Sequence, residues 1–298
     1  MRASGVVGVM GRRDLLAASR AGLLPLIASP APALAEARSR HFTTSDRVRL
    51  HWLEAGSGRT IVFIPGWCMP AWIFTPQLDQ LSARHRVVVL DPRGQGQSQV
   101  PAQGYEPARR GRDIAELLAA LGPGRVVLAG WSLGVLDVLS WLDQAGDTRL
   151  AGLVLIDNSV GEGQPPGGGG GRFFQNLRSQ RDRTVRGFVA SMYRTPQTPA
   201  YLDRLARDAQ RMPVEASIRL LSYPRPREFW RETLYSTRRP VHYAVTPRFR
   251  GQAALVAQRH AAASIDIYEE AGHALFVDQA ARFNTRMESF LMHEAAWT

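Results

Sequence analysis

The sequence predicts an α/β protein with a mostly parallel β-sheet and helices on both faces of it. From residue 41 onward, short runs with the pattern of strands alternate with segments of helical periodicity. Most of these runs are apolar along their whole length, which is typical of parallel strands covered by helices on both sides. The length of 298 residues suits one large domain with an insertion, or two small domains.

The first half of the chain carries most of this alternation. The helix predicted from Asp113 has Ile114, Leu117 and Leu121 on one face, and Gly122 ends it. A second helix is predicted over Leu133–Leu142. In chain order, the predicted strands read VRLHWLEAG, TIVFIPG, RVVVLDPRGQGQS, VVLA and LVLI.

The alternation stops after the last of these strands. Gly161–Gly171 reads GEGQPPGGGGG, which predicts a flexible linker. Residues 172–238 read as short helices separated by prolines and are rich in aromatic residues. Strand patterns return at Pro240–Val245 and Ser264–Glu270, and a last helix follows. The chain is therefore predicted to be one sheet domain, 36–158 and 239–298, interrupted by a helical insertion at 159–238.

The first 35 residues have the pattern of an export signal rather than of a folded domain. Arg12-Arg13 precedes a mildly apolar stretch, and Ala33-Leu34-Ala35 is typical of a cleavage site. The paired arginines resemble a twin-arginine signal, which predicts export of a folded protein and a periplasmic location. The alternative interpretation is an amphipathic terminal helix of a cytosolic protein.

Charge and composition exclude several other classes of protein. The net charge is +11, and every one of the 37 Lys and Arg residues is arginine. The arginines are spread along the chain without a basic block, which argues against nucleic-acid binding. No apolar run reaches the length of about 18 residues that a membrane helix needs. Cys68 is alone, and His and Cys do not cluster at metal-ligand spacing, so neither a disulfide nor a metal or cofactor site is predicted.

A candidate nucleophile lies between a predicted strand and a predicted helix. Gly130-Trp131-Ser132-Leu133-Gly134 matches the pattern G-x-S-x-G, whose sharp turn presents the serine at the carboxyl end of a strand. The alternative is an ordinary helix N-cap serine. A serine hydroxyl needs a base, and His273 follows the last predicted strand at the same sheet edge. Among the other histidines, His260 is the best alternative candidate for the base.

Four segments together resemble the α/β-hydrolase family, from about residue 41 to the end. They read FIPGW, DPRGQGQS, GWSLG and GHALF, in family order and at family-like spacing. The resemblance implies an eight-stranded, mostly parallel sheet and a helical cap over the site. It also implies an oxyanion hole made by the backbone amides of Leu133 and Trp67, with Cys68 as the next choice. Family members usually carry His-Gly where this chain has Pro65-Gly66.

The acid of a catalytic triad is less evident. The family most often places it after the seventh strand, here AVTPRFRGQ, which holds no carboxylate. Asp157, at the end of the sixth strand, is the preferred substitute, because a carboxylate there can reach the same histidine nitrogen. Glu269 and Glu270 lie close to His273 in sequence, and Asp266 lies within a strand. A Ser-His dyad without a carboxylate is the remaining alternative.

The sequence therefore predicts an exported, cofactor-independent serine hydrolase that acts on small apolar esters or lactones. The aromatic insertion favours such substrates over peptides. Two alternatives stay within enzymes: a C–C bond hydrolase and a cofactor-free haloperoxidase with the same triad. A third is a non-catalytic ligand-binding protein that has kept the fold.

Overall fold

The computed structural model describes residues 36–164, 170–221 and 225–297. The predicted export signal, residues 1–35, and the middle of the predicted linker, residues 165–169, lie outside the described residues. No helix among the described residues is long and apolar enough to span a bilayer.

An eight-stranded sheet organises the described chain in the order β1-β2-β4-β3-β5-β6-β7-β8. β2 runs antiparallel to both of its neighbours, and all pairs from β4 through β8 are parallel. The mostly parallel sheet expected from the sequence is thus confirmed. The strands are β1 (Arg38–Thr43), β2 (Arg49–Ala55), β3 (Thr60–Ile64), β4 (Arg86–Asp91), β5 (Val126–Trp131), β6 (Leu150–Ile156), β7 (Val241–Val245) and β8 (Ala263–Ile267).

The central strands are covered on both faces. Every residue of β5, β6 and β7 is buried. Because successive side chains of a strand point to opposite faces, full burial requires packing on both sides of the sheet. The helices of the sheet domain are α1 (Thr75–Leu81), α2 (Pro107–Ala120), α3 (Leu133–Ala145), α9 (Arg250–Arg259), α10 (Leu275–Asp278) and α11 (Ala280–His293).

Between β6 and β7 the described residues form five helices, which are called the cap below. They are α4 (Gly170–Ser179), α5 (Arg181–Ser191), α6 (Pro199–Ala209), α7 (Val214–Leu220) and α8 (Arg227–Ser236). α4 begins inside the predicted linker, so the expectation that this whole segment lacks regular structure is wrong at its last two glycines.

The predicted last helix is in fact two helices. α10 ends at Asp278, and Gln279 has φ −124° and ψ 50°, which is not helical. The carboxylate of Asp278 accepts hydrogen bonds from the backbone amides of Gly272, Arg194 and Thr195, at 2.7, 2.8 and 3.1 Å. The break therefore coincides with a contact between this turn and the chain leaving α5.

Buried ionic groups hold the loop that follows β4. The Arg93 guanidinium donates two 2.6 Å hydrogen bonds to Asp113 on α2 and contacts Asp46 at 3.0 Å. The Asp91 carboxylate accepts from His51 Nδ1 at 2.7 Å, and a Cβ at Gly96 would overlap this carboxylate. These contacts fix the course of the loop, which carries Gln95 toward the candidate site.

Candidate active site

Ser132 occupies the turn between β5 and α3, called the elbow below (Gly130–Gly134). Its backbone has φ 53° and ψ −123°, a conformation that L-residues seldom adopt. The Ser132 amide donates to the carbonyl of Ile156 on β6 at 2.9 Å, and the Asn158 side chain donates to the Ser132 carbonyl at 2.7 Å. The strained residue is thus held from the neighbouring strand as well as by its own turn.

The two glycines of the elbow are required for close packing rather than for their own φ angles. A Cβ on Gly130 would lie 2.4 Å from the Gly134 carbonyl oxygen, and a Cβ on Gly134 would lie 2.2 Å from the Ile64 carbonyl oxygen. The positive φ belongs to the serine itself. The G-x-S-x-G pattern therefore lets α3 start directly against β3 and β5.

His273 reaches the serine from the loop between β8 and α10. Its Nε2 lies 2.9 Å from Ser132 Oγ. The indole of Trp131 donates to the His273 carbonyl at 2.8 Å, and the two rings are 5.2 Å apart between centroids. The residue before the nucleophile therefore holds the histidine loop in place, a role that sequence reasoning did not assign to it.

Asp157 stands on the other side of the imidazole, at the end of β6. Its Oδ2 lies 2.7 Å from His273 Nδ1, and its side chain is almost completely buried. Oδ1 accepts two hydrogen bonds from Thr246, one from the amide and one from Oγ1, both at 2.7 Å. Thr246 follows β7, where the family pattern usually has the acid, and here it orients the carboxylate supplied by β6.

These contacts decide the protonation pattern of the imidazole. A carboxylate accepts hydrogen bonds and does not donate, so the Nδ1 of His273 carries the proton that faces Asp157. The Nε2 of the neutral ring then accepts the hydrogen bond from the Ser132 hydroxyl. This is the arrangement in which an imidazole can remove the hydroxyl proton while the carboxylate stabilises the resulting charge.

The segment Gly66–Met69, called the oxyanion loop below, lies against the elbow. A Cβ on Gly66 would lie 2.8 Å from the Ser132 Cβ. Gln95 is fully buried and bonds this loop at three points: its Nε2 donates to the carbonyls of Gly66 and Met69 at 3.1 Å each, and its Oε1 accepts from the Cys68 amide at 2.9 Å. Cys68 itself has φ 59°.

Two backbone amides remain as candidate oxyanion donors. In the part of the chain that the structure describes, the amides of Trp67 and Leu133 have no hydrogen-bond partner, whereas the Cys68 amide is engaged by Gln95. Leu133 is the first residue of α3, where amides point away from the helix toward an incoming negative charge. The geometry therefore favours Trp67 over Cys68 as the partner of Leu133.

The cap covers the oxyanion loop. The indole of Trp67 donates to the Ser217 carbonyl on α7 at 2.7 Å. Its ring packs edge-on against Phe173 of α4 and Phe188 of α5, at centroid distances of 5.6 and 5.1 Å. Aromatic side chains from the cap thus lie directly above the loop that would bind the oxyanion.

A cavity of about 550 Å³ opens beside His273 and Asp157. The cap lines it from one side and the loops after β7 and β8 line it from the other. Its lining residues are Asp157, Phe188, Ser191, Met192, Arg194, Thr246, Pro247, Arg248, Ala271, Gly272 and His273. The cavity gives solvent and small molecules access to the imidazole of His273. The side chain of His273 is 29% exposed.

The alternative acids and the alternative base lie outside this array, and three of them have partners elsewhere. Glu269 is bound to Arg250, and Asp266 to Arg282. Glu270 is exposed at the start of the histidine loop. His260 contacts the Thr237 carbonyl at 3.1 Å. The structure brings Ser132, His273 and Asp157 together and leaves these alternatives outside the array.

A second Ser-His-Asp array lies in the β1–β2 region. Ser39 Oγ is 2.7 Å from His51 Nε2, and His51 Nδ1 is 2.7 Å from Asp91 Oδ2. Asp91 also accepts from the amides of Ala71 and Gln97, which makes it a structural carboxylate of its loop. Ser39 lies within strand β1, so no helix N-terminus follows it to supply oxyanion donors. Of these two arrays, the one at the elbow combines a base with such donors.

Sequence reasoning missed the supporting roles of four side chains: Gln95, Trp131, Asn158 and Thr246. Each makes contacts across a large sequence separation, so no local pattern marks it. The DPRGQGQS motif does contain Gln95, and its position in a glycine turn after a strand is the one available signal. Among the described residues, no group of three or more His, Cys, Asp and Glu side chains could hold a metal ion.

Comparison with known families identifies the class of protein. The alpha/beta hydrolase family matches residues 61–286, and the chain belongs to this family. The resemblance inferred from the four motifs is confirmed. A related sequence, the 2-(acetamidomethylene)succinate hydrolase of Mesorhizobium japonicum, is 27% identical over 63% of this chain and 69% of its own length. A non-heme haloperoxidase of Rhodococcus erythropolis is 35% identical, but over 38% of this chain and 42% of its own.

Solved structures show the same fold. An esterase from Exiguobacterium antarcticum superposes with a TM-score of 0.77 at 20% identity, over 84% of this chain and 98% of that one. A bromoperoxidase from Bacillus anthracis has a TM-score of 0.74 at 18% identity, over 85% and 99% of the two chains. At this level of identity the likeness concerns the fold alone.

Proposed function

We propose that the protein is a serine hydrolase of carboxylic esters or lactones and that it works through an acyl-enzyme. The observation that carries the proposal is the continuous hydrogen-bonded array from Asp157 through His273 to Ser132, with the serine on the strained turn before α3. Esterases and ester-hydrolysing relatives among the similar proteins are consistent with it.

The proposed reaction begins with the Ser132 hydroxyl. Its oxygen attacks the acyl carbonyl carbon while His273 Nε2 takes the proton, and the carboxylate of Asp157 stabilises the imidazolium. The amides of Trp67 and Leu133 donate to the oxyanion of the tetrahedral intermediate. The imidazolium then gives its proton to the departing alkoxide, which leaves as an alcohol.

The second half of the reaction releases the acid. Water enters beside His273, loses a proton to Nε2, and attacks the acyl carbon. The imidazolium returns the proton to Ser132 Oγ as the acyl–oxygen bond breaks. The aromatic side chains of Phe173 and Phe188 over the oxyanion loop favour an apolar acyl group of small to medium size.

Labelling with a fluorophosphonate probe tests the proposal without a choice of substrate. The purified protein, without residues 1–35, should react rapidly at Ser132, and Ser132→Ala should abolish the reaction. Asp157→Asn should slow it by about 10³–10⁴-fold, the loss expected when the imidazole is held in the wrong tautomer. Ser39→Ala is the matched control, because it removes the serine of the second array and should change nothing.

Two other outcomes would lead to different conclusions. If labelling depends on Ser132 but not on Asp157, the enzyme works as a Ser-His dyad. If the folded wild-type protein is not labelled, the protein is a ligand-binding member of the family and the proposal fails.

We also propose export through the twin-arginine route, on the basis of Arg12-Arg13 and the Ala33-Leu34-Ala35 sequence. Replacing both arginines by lysine should keep the full-length protein in the cytosolic fraction of an expressing bacterium. Unchanged periplasmic recovery of the double variant would contradict this route.

A further inference from the structure

Two arginine side chains from different segments of the chain line the cavity beside His273. Arg194 belongs to the cap and follows α5, whereas Arg248 belongs to the short helical turn after β7. Both are exposed at this cavity, and we call them the guanidinium pair. The apolar side chains of Phe188, Met192 and Pro247 line the cavity with them.

Neither member of the guanidinium pair has an acidic partner among the described residues. Arg194 forms no side-chain hydrogen bond or ion pair there, and Arg248 contacts only the ring of Phe249, at 5.6 Å. Other exposed arginines, such as Arg183 on α5, also have no acidic partner among the described residues. What distinguishes Arg194 and Arg248 is that both line the cavity that also holds His273.

The one carboxylate among the described residues of the cavity lining makes no ion pair with either arginine. Asp157 uses Oδ1 for its two bonds from Thr246 and Oδ2 for the bond from His273. Two guanidinium charges thus face the cavity against the single carboxylate of Asp157, so the charge of the lining is net positive.

The backbones that carry the pair are well anchored. The Arg194 amide is bound to the Asp278 carboxylate at 2.8 Å, and the Met192 carbonyl accepts from the Ala274 amide at 2.9 Å. The Phe249 amide donates to the Thr246 carbonyl at 3.1 Å, which closes the turn around Arg248. Both guanidinium groups consequently extend from fixed points next to the histidine loop.

We propose that the cavity binds an anionic group of the substrate, a carboxylate at the end away from the scissile ester. Planar guanidinium groups donate paired N–H bonds that match the two oxygens of a carboxylate. This inference rests on the proposed esterase function and narrows it: the preferred substrate is a half-ester of a dicarboxylic acid, or a lactone bearing a carboxylate. The apolar lining contacts the carbon chain between the two ends.

A binding experiment tests the inference independently of turnover. Ser132→Ala protein is titrated with dicarboxylic acid monomethyl esters, from malonate to adipate, and with the matching neutral dimethyl esters. Affinity is measured by ligand-observed NMR. At least one monoester should bind more tightly than its diester, and Arg194→Gln or Arg248→Gln should each weaken that monoester by about tenfold, as for loss of one charge-assisted contact.

Arg183→Gln is the matched control. Arg183 is exposed on α5, has the same charge, and lies outside the cavity, so its loss should leave both affinities unchanged. Three results would each overturn the inference. Monoesters and diesters could bind equally well, no monoester could bind detectably, or all three arginine variants could change the affinity equally.

Turnover by the wild-type protein separates this inference from the proposed function. If the protein hydrolyses neutral esters and shows no arginine-dependent preference for anionic ones, the proposed esterase function is supported and the anion site is refuted. Arginine-dependent binding of a monoester without hydrolysis or fluorophosphonate labelling would refute the esterase and support the anion site.

Discussion

Replacement of Gln95 by leucine tests how the oxyanion loop is held. Leucine has nearly the same size but removes all three hydrogen bonds to the loop. The Cys68 amide and the Met69 carbonyl are then left without a partner, whereas the Gly66 carbonyl keeps its bond from the Met69 amide. The loop residue Cys68, at φ 59°, then loses the contact that opposes its backbone strain. We expect the neighbouring Trp67 amide, the proposed oxyanion donor, to be displaced.

The size of the effect follows from these contacts. Loss of one oxyanion donor lowers kcat by about 10²–10³-fold, so displacement of the Trp67 amide should lower kcat by roughly a hundredfold. KM should change far less, because the oxyanion forms after substrate binding. Each buried polar group left unsatisfied costs about 1–3 kcal/mol, so the loss of partners at the Cys68 amide and the Met69 carbonyl should lower the free energy of unfolding by at least about 2 kcal/mol.

The assay must separate catalysis from stability. Activity is measured with p-nitrophenyl acetate per active site, and the active sites are counted by the endpoint of fluorophosphonate labelling. Gln97→Leu is the matched control: Gln97 is exposed on the same loop and contributes its backbone amide, not its side chain, to Asp91. A Gln95→Leu protein that is folded and keeps kcat within about threefold of the wild type would refute the role assigned to Gln95 in catalysis.

Three further predictions concern the support of the Asp157 carboxylate, the buried Arg93–Asp113 pair and the pH dependence of stability. Thr246→Val removes one of the two hydrogen bonds to Asp157 Oδ1. In steady-state assays kcat should fall by about tenfold with KM unchanged, which corresponds to the loss of roughly one hydrogen bond to a charged group. An unchanged kcat would contradict this role of Thr246. Arg93→Met removes the bidentate partner of the buried Asp113 carboxylate, which keeps Arg109 as its second partner. Urea unfolding should therefore show a loss of about 1.5–3 kcal/mol, as for hydrogen bonds to a charged group; a loss below about 0.5 kcal/mol would show that the pair contributes little. Burial lowers the pKa of His242 from 6.5 to about 4, so the unfolded chain takes up a proton that the native protein does not, and stability should fall as the pH drops from 6.5 to 4. The resulting loss of unfolding free energy reaches up to about 3 kcal/mol, and His242→Gln should abolish this part of the pH dependence. If the urea midpoint of the variant depends on pH as that of the wild type does, the assignment to His242 is contradicted.

The elements that could be predicted from the sequence are those whose cause is local. The apolar runs of the central strands and the helical faces of α2 and α3 appear where the periodicity predicts them. β1, α1 and α9 were not predicted, because their sequences mix polar and apolar residues without a clear period. The split between α10 and α11 was missed because its cause, the bonds of Asp278 to the chain after α5, lies about 80 residues away in sequence.

The residues of the candidate site also fall into those that local sequence predicts and those that only tertiary contacts define. The sequence by itself determined the elbow with Ser132 and the glycine-bordered loop of His273, because a strand–turn–helix pattern is written in consecutive residues. Only the tertiary structure decided which carboxylate faces the imidazole, since Asp157 and His273 are 116 residues apart and meet at adjoining strand ends. It also decided that Thr246 holds this carboxylate, that Gln95 holds the oxyanion loop, and that two unpaired arginines face the same cavity. Such contacts depend on the order of strands in the sheet and on where the cap docks, and neither is set by the periodicity of any one segment.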